Sequence, residues 1–221
     1  DNKADLGFVV DPDVDRLAIV SEDGSCFNEE YTLVACADYI LSKRKGNTVS
    51  NMSSSRALRD VTEKHGGKWY ASAVGEVNVV EKMKQVDAVI GGEGNGGIIY
   101  PPLHYGRDAL AGIALFLSLL AERGLGCSQL RATYPEYVIS KNRIELSEGS
   151  NADHIIRRIH EELKHKVVST EDGLLLEDEQ GWINVRKSNT EPILRVYSEG
   201  KTREDADRQA EEIIKFVKKI S

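Results

Sequence analysis

Cysteine is scarce in this 221-residue chain, and what little there is excludes two kinds of protein. Cys26, Cys36 and Cys127 are odd in number, with no CxxC pair and no Cys/His metal spacing. A disulfide scaffold and a zinc module are excluded; reduced, buried thiols in a cytosolic (cytoplasmic) protein are expected. The five histidines are scattered and form no HExxH pair. Long apolar runs are also missing. The longest, Ala109 to Ala121, contains Gly112 and Ser118 and falls short of the roughly 20 residues a membrane span needs. No basic face is concentrated anywhere, and the formal net charge is -7, so a nucleic-acid partner is excluded. The opening DNKADLGFVV is acidic at its start and offers no basic n-region, so no export signal is visible.

What remains is ordinary for a globular protein: 40% hydrophobic and 29% charged residues. Length allows one large or two modest domains. Leu6–Val10 reads as a buried strand with almost nothing before it to pair with, which suggests a piece excised from a longer chain. An acidic loop follows, then a strand over Leu17–Ser21 closed by Glu22-Asp23-Gly24. Helical spacing of Leu33, Ala37, Ile40 and Leu41 predicts a helix from Glu29 to about Lys43. Thr48–Asn51 predicts a strand, and Ser53-Ser54-Ser55 offers N-caps for a helix through His65, stopped by Gly66-Gly67. A strand at Lys68–Ala73, a short helix at Asn78–Lys84 and a strand at Asp87–Ile90 lead to a glycine-rich loop. Asp108 then opens an apolar helix to about Arg123. This alternation predicts a three-layered α/β domain with a mixed or largely parallel sheet.

From Gly124 to Tyr137 the pattern reads as a boundary, and beyond it the character changes. A strand at Tyr137–Leu146 and a helix near Ala152–His165 come first. Strands near Leu174–Leu176, Gly181–Arg186 and Ile193–Tyr197 follow, then a charged helix over Arg203–Lys219. Strands bracketed by helices predict a smaller α+β domain at the C-terminal end.

Three polar segments could carry chemistry. Asp11-Pro12-Asp13-Val14-Asp15-Arg16 sits between two strands. Alternating carboxylates in a tight turn can converge on a hard cation, which takes oxygen ligands and removes their mutual repulsion. An EF-hand is excluded because Arg16 stands at the loop position that requires glycine. Gly91-Gly92-Glu93-Gly94-Asn95-Gly96-Gly97 contains GxGxxG after a strand, but Ile98-Ile99-Tyr100-Pro101-Pro102 cannot open the helix that would hold a pyrophosphate. What is left is a loop presenting Glu93 and Asn95, good partners for sugar hydroxyls. Arg186-Lys187-Ser188-Asn189-Thr190-Glu191-Pro192, with Arg195 beyond it, combines hydroxyls, an amide and guanidinium forks that suit a phosphate dianion. The plainer alternatives are a solvated acidic turn, a structural glycine turn and a polar β-turn with incidental cations.

DPDVDR, GGEGNGG and RKSNTEP, in that order, resemble the metal loop, sugar-recognition loop and phosphate-binding loop of the α-D-phosphohexomutases, over nearly the whole chain. The resemblance implies reversible transfer of a phosphoryl group between the 1- and 6-positions of a hexose phosphate, through a phosphoserine and a bisphosphorylated sugar. It implies Mg²⁺ on Asp11, Asp13 and Asp15, with Arg16 beside the transferring group. Glu93 and Asn95 would bind the sugar, and Arg186, Ser188, Asn189, Thr190 and Arg195 the distal phosphate. It further implies that residues 1–25 end a preceding α/β domain, 26–130 form the sugar-recognition domain, and 131–221 the phosphate-binding domain.

Some positions depart from the family pattern. Pro12 and Val14 stand where many members carry glycine, Asn95 replaces serine, and Gly97 replaces histidine. Near Ser53 and Glu76 some members present a lysine and a histidine, so His104 and Arg107 become candidates for proton transfer. The phosphoserine motif Thr-Ala-Ser-His-Asn-Pro does not occur here. The nucleophile, and the N-terminal domains that carry it, are expected outside this chain, and these residues alone are expected to be inactive. The motif forms are nearest those of phosphoglucosamine mutases, with phosphomannomutase and phosphoglucomutase as alternatives. Two other classes fit parts of the pattern: a non-catalytic phosphosugar-binding module, and a metal-dependent phosphatase with Asp11 as nucleophile.

Overall fold

In the computed structural model, which describes residues 3–146, 151–188 and 191–220, the acidic turn is the tip of an antiparallel hairpin. Its strands are β1 (Leu6–Val10) and β2 (Leu17–Ser21). The strand expected to be buried is half open instead. Leu17 and Ile19 of β2 are buried, whereas Val9 is 58% exposed, because β1 pairs with β2 alone in a two-stranded sheet.

By compactness the chain divides into Asp1–Pro135 and Glu136–Ser221. The first unit is built on a four-stranded sheet of β3 (Asn47–Asn51), β4 (Trp69–Ser72), β5 (Ala88–Glu93) and β6 (Gly97–Ile99), in the order β4-β3-β5-β6. β3 runs parallel to β4 and β5, while β6 returns antiparallel to β5. The sheet is therefore mixed. Helix α1 (Glu29–Lys43) starts where the Asn28 side chain accepts from the Glu30 N–H, with Glu29 and Glu30 at the positive end of the helix dipole. The remaining helices are α2 (Ala57–Lys64), α3 (Glu76–Gln85), α4 (Ala109–Arg123) and the short α5 (Cys127–Arg131). α3 buries Val79 and Met83 against Val49, Ala88 and Ile99. Thr48, the neighbour of Val49, points to the other face and meets Thr62 of α2 at 2.7 Å. Helices thus cover both faces, as three layers require.

Of the three serines expected to cap α2, Ser55 Oγ accepts from the Ala57 N–H at 3.2 Å, but Arg56 occupies the cap position and its side chain caps nothing. Ser54 is drawn away to the glycine-rich segment, where its Oγ accepts from the Gly94 N–H at 2.9 Å. α4 is bounded as its sequence predicts. Asp108 accepts from the Ala111 N–H, and Gly124 closes the helix at φ 62°, where a Cβ would strain the backbone. A buried carboxylate secures these helices to one another. Asp38 on α1 is reached by His65 Nε2 at 2.7 Å, Arg123 Nη2 at 3.0 Å and the Tyr134 hydroxyl at 3.1 Å. Burial pushes the Cys36 thiol up to about 12, so it is an inert core residue. Cys127 is also buried, but Cys26 is exposed, contrary to expectation.

The second unit is an antiparallel sheet in the order β7-β11-β10-β9-β8: β7 (Val138–Glu145), β8 (Val167–Ser169), β9 (Leu174–Glu177), β10 (Trp182–Lys187) and β11 (Ile193–Gly200). Helices α6 (Ala152–Glu162) and α7 (Arg203–Ile220) supply Ile155 and Ile159, and Ala210, Ile213 and Val217, at helical spacing. These pack with Ile144, Val185, Leu194 and Val196 in one core. The alternating partners of those strand residues, including Arg143, Arg186 and Arg195, therefore lie on the opposite face of the sheet. Among the described residues, no helix is long and apolar enough to cross a membrane.

Candidate active site

The Asp11–Arg16 turn is held by its own first carboxylate. Asp11 Oδ1 accepts from the Asp15 and Arg16 N–H groups, both at 3.1 Å, and the Asp11 carbonyl accepts from the Val14 N–H at 3.0 Å. Val14 is forced to φ 58°, a left-handed conformation that a β-branched residue seldom takes. This is the physical cost of placing valine at this position of the turn. Burial works to raise the Asp11 carboxyl, but the Arg16 and Asp15 N–H groups outweigh it and hold the carboxyl below its usual range. Burial and the neighbouring Asp11 push Asp15 up, against the pull of Arg107. Arg16 is loosely placed, with Nε 3.7 Å from both Asp11 and Asp15 and half its side chain exposed.

The turn is joined to the glycine-rich segment. That segment is not a loop: Gly91–Glu93 continue β5, and β6 returns as its hairpin partner. The Leu17 N–H donates to the Gly96 carbonyl at 3.0 Å, and the Ala109 N–H to the Val14 carbonyl at 3.1 Å. Two glycines make this geometry possible. A Cβ on Gly94 would collide with the Glu30 carboxylate, and Gly96 turns at φ 84° against the Leu17 backbone.

Arg107 stands at the centre of the region. Its guanidinium pairs with Asp15, with Glu93 Oε2 at 2.6 Å and with Glu76 Oε2 at 3.1 Å. Burial would lower its pKa, but Glu93, Asp15 and Glu76 together raise it above its ordinary value, so it is a fixed cation and no proton donor. Glu93 is itself buried, and its Oε1 accepts from Asn51 Nδ2 at 2.7 Å and the Gly75 N–H at 3.2 Å. Two lone pairs per carboxylate oxygen leave Oε2 one further acceptor site. Asn95 Oδ1 takes the Gly97 N–H at 3.1 Å, which leaves its amide NH₂ to meet a ligand. A side chain on Gly97 would collide with Arg107, so glycine there and arginine at 107 belong together. His104, the other proton-transfer candidate, is exposed and bonds the helix-capping Asp108 at 3.0 Å.

Could the turn hold a hard cation? Asp11 and Asp15 interact carboxyl to carboxyl. Asp15 Oδ1 is buried without a hydrogen-bond partner, the condition a cation relieves. Oxygen donors of this kind fit Mg²⁺. Asp13 does not join them: among the described residues no three His, Cys, Asp or Glu side chains stand together as a metal site. Asp11 is engaged by the backbone and Asp15 by Arg107, whereas Asp13 stays exposed on the turn.

In the second unit the structure brings Arg186 and Arg195 together, directly opposite each other on β10 and β11. Nε of each is buried without a hydrogen-bond partner. Lys187 turns the other way and pairs with Asp153 at 2.9 Å. The Ser188 N–H closes onto the Ile193 carbonyl at 3.0 Å. Asn189 and Thr190 lie outside the described residues.

Comparison with known proteins gives this geometry a family. Residues 28–137 match phosphoglucomutase/phosphomannomutase, alpha/beta/alpha domain III, and residues 143–216 match the C-terminal domain of the same family. The chain belongs to the phosphoglucomutase/phosphomannomutase family. Over 219 residues it is 30% identical to a Methanopyrus kandleri protein described as a probable phosphoglucosamine mutase, covering 98% of this chain and 48% of that protein. It is 32% identical over 217 residues to a phosphoglucomutase/phosphomannomutase of Thermococcus kodakarensis, covering 97% and 47%. The chain thus spans about half the length of the curated relatives it matches. A Burkholderia thailandensis structure of the phosphoglucomutase/phosphomannomutase family aligns with a TM-score of 0.81 at 26% identity, over 97% of this chain and 46% of that one. The fold is shared with an Aspergillus fumigatus N-acetylphosphoglucosamine mutase, solved with GlcNAc-6P and magnesium, at a TM-score of 0.66 and 16% identity over 93% and 50% of the two chains.

Missing from the sequence reading was the role of Arg107 as a hub. Its partners lie 14, 31 and 92 residues away in the chain, so no local pattern could show it. The signal available was a lone arginine just before a helix-capping aspartate.

Proposed function

We propose that this chain supplies the metal, sugar and phosphate sites of a phosphohexomutase that moves a phosphoryl group between O6 and O1 of a hexose phosphate. Phosphoglucosamine is the favoured substrate, and mannose and glucose phosphates are the alternatives. The observation that carries this reading is the junction at Arg107, which links the acidic turn to the glutamate of the sugar hairpin. Phosphoryl transfer is catalysed mainly by positioning and charge, and a rigid link between the two loops provides both.

Asp11 and Asp15 would hold Mg²⁺, with Asp13 closing on it. The ion, when bound, would neutralise charge on the transferring phosphoryl group. Arg16, half exposed at the rim of the turn, would reach the same group. Glu93 Oε2 and the Asn95 amide would orient sugar hydroxyls, and Arg186, Ser188, Asn189, Thr190 and Arg195 would take the phosphate that does not react. Residues 1–25, 26–130 and 131–221 would be the end of a preceding domain, the sugar domain and the phosphate domain. The phosphoserine would come from outside these residues. A phosphatase using Asp11 as nucleophile is less favoured, since Asp11 Oδ1 already receives two backbone N–H groups.

Calorimetry with glucosamine, mannose and glucose 6-phosphates, each with and without Mg²⁺, tests the proposal. Binding of at least one sugar phosphate is expected, with no conversion even when a hexose 1,6-bisphosphate is added. Absence of any binding would refute the site; steady turnover would refute an external serine. Mn²⁺ relaxation should show weak binding that Asp13→Asn and Asp15→Asn diminish.

A further inference from the structure

The sheet of the second unit carries a row of like charges that the described residues neutralise only slightly. β11 places Arg195 opposite Arg186 of β10 on one side and opposite Arg143 of β7 on the other. Directly opposed residues share a face, so three guanidinium-bearing side chains rise side by side from adjacent strands. With strands about 4.8 Å apart, the row is roughly 10 Å long. It sits on the face away from the helices, because Ile144, Val185, Leu194 and Val196, the sequence neighbours of the three arginines, all enter the core.

Like charges directly opposite one another destabilise a sheet, and here the compensation is slight. Glu191 approaches Arg195 at 3.6 Å. Among the described residues no carboxylate lies within ion-pair distance of Arg143 or Arg186, although Glu145 is only two residues along β7 from Arg143. Nε of Arg186 and of Arg195 is buried without a hydrogen-bond acceptor, and a buried donor left unsatisfied calls for a missing partner.

We infer that Arg143 is the third guanidinium of an anion site formed with Arg186 and Arg195, and that the site takes a phosphate monoester as its dianion. The inference rests on the phosphate role proposed above for Arg186 and Arg195 and adds a residue that no loop motif contains. The choice of ligand follows from the donors. One arginine fork satisfies a carboxylate with two parallel bonds, whereas three forks in a row exceed what two oxygens of single charge can use. A phosphate monoester presents three oxygens and about two charges.

Titration of the 221-residue chain with inorganic phosphate and with glucose 6-phosphate tests the assignment, using Arg143→Gln, Arg143→Lys, Arg186→Gln and, as a control in the first unit, Lys64→Gln. Arg143→Gln should weaken both ligands about tenfold, Arg143→Lys less, and Lys64→Gln not at all. Without ligand and at low salt, Arg143→Gln should melt higher than the parent, because one repulsive neighbour is gone. Its melting temperature should also rise less on adding phosphate. Unchanged phosphate affinity in Arg143→Gln alongside a loss in Arg186→Gln would remove Arg143 from the site and leave the phosphate reading intact. If neither variant lost affinity, the phosphate reading itself would fall. An equal loss in Lys64→Gln would reduce the effect to net charge and overturn the assignment.

Discussion

The two units handle the charge of their arginines in opposite ways. In the first, Arg107 is enclosed by Asp15, Glu76 and Glu93, and Glu93 is further held by Asn51 and the Gly75 N–H. In the second, exposed Arg143 and half-buried Arg186 and Arg195 stand together, and among the described residues a single acid, Glu191, approaches one of them. A charge surrounded by its complement fixes geometry; a charge left without one keeps a place for a ligand. The first arrangement suits a region that must hold two loops in register. The second suits a region whose partner arrives from solution.

The sharpest way to break this contrast is at Arg107. Replacement by methionine leaves three carboxylates facing one another, and removing one partner of a buried ion cluster costs about 3–5 kcal/mol. Thermal unfolding of Arg107→Met should shift down by on the order of 10 °C, with Arg107→Lys recovering only part. A loss below about 1 kcal/mol would show that the cluster is not what holds the loops. The second unit should behave in the reverse sense. Arg186→Ala should leave stability without ligand unharmed but cost about 1.5–3 kcal/mol of sugar-phosphate affinity, roughly ten- to a hundredfold by calorimetry. If Arg186→Ala unfolded the second unit instead, the row would be structural.

A smaller effect is expected at the acidic turn. Val14→Gly removes a left-handed β-branched residue and should stabilise the chain by about 1 kcal/mol after the entropy of glycine is counted. Denaturant midpoints would show it. The smallest effect concerns pH. Asp178 is raised by burial but lowered more by Lys166, at 2.8 Å, and by the Gln180 N–H, so its carboxyl ends below the usual range. A depressed folded pKa stabilises above the unfolded value and is lost as pH falls through the folded one. Acid unfolding below about pH 4 should therefore be slightly shallower in Asp178→Asn.

Much of this architecture was legible in the sequence where local rules are strong. β2, α1 and α4 lie where periodicity, Asp108 and Gly124 place them, and the change from alternating strands and helices to an antiparallel sheet separates the two fold types. Legibility failed where tertiary contacts override local preference. Gly91–Glu93 read as loop because glycines weaken a strand, yet Gly91 lies so close to Met83 and the Val49 carbonyl that no larger residue would fit there. The serine run before α2 looked like a cap, but Ser54 serves Gly94 instead. β8 is three residues between charged segments and gives almost no periodic signal. The chemical residues divide in the same way. Asp11, Asp15, Glu93 and Arg186 sit in compact motifs, whereas Arg107 and Arg143 acquire meaning only from contacts and register.

The packing of the β5–β6 hairpin has a consequence for altering the sugar site proposed there. Gly94 is backed by the Glu30 carboxylate and Gly96 needs its left-handed turn against Leu17. Random libraries spread over positions 94–96 would thus waste most of their members on misfolded tips. Within that stretch Asn95 is the one position that is neither glycine nor at a positive φ, so a new side chain there gives up the bond to the Gly97 N–H but meets no backbone strain. A search for altered sugar preference can accordingly be narrowed to a single saturated codon there, combined with changes at residues outside the hairpin.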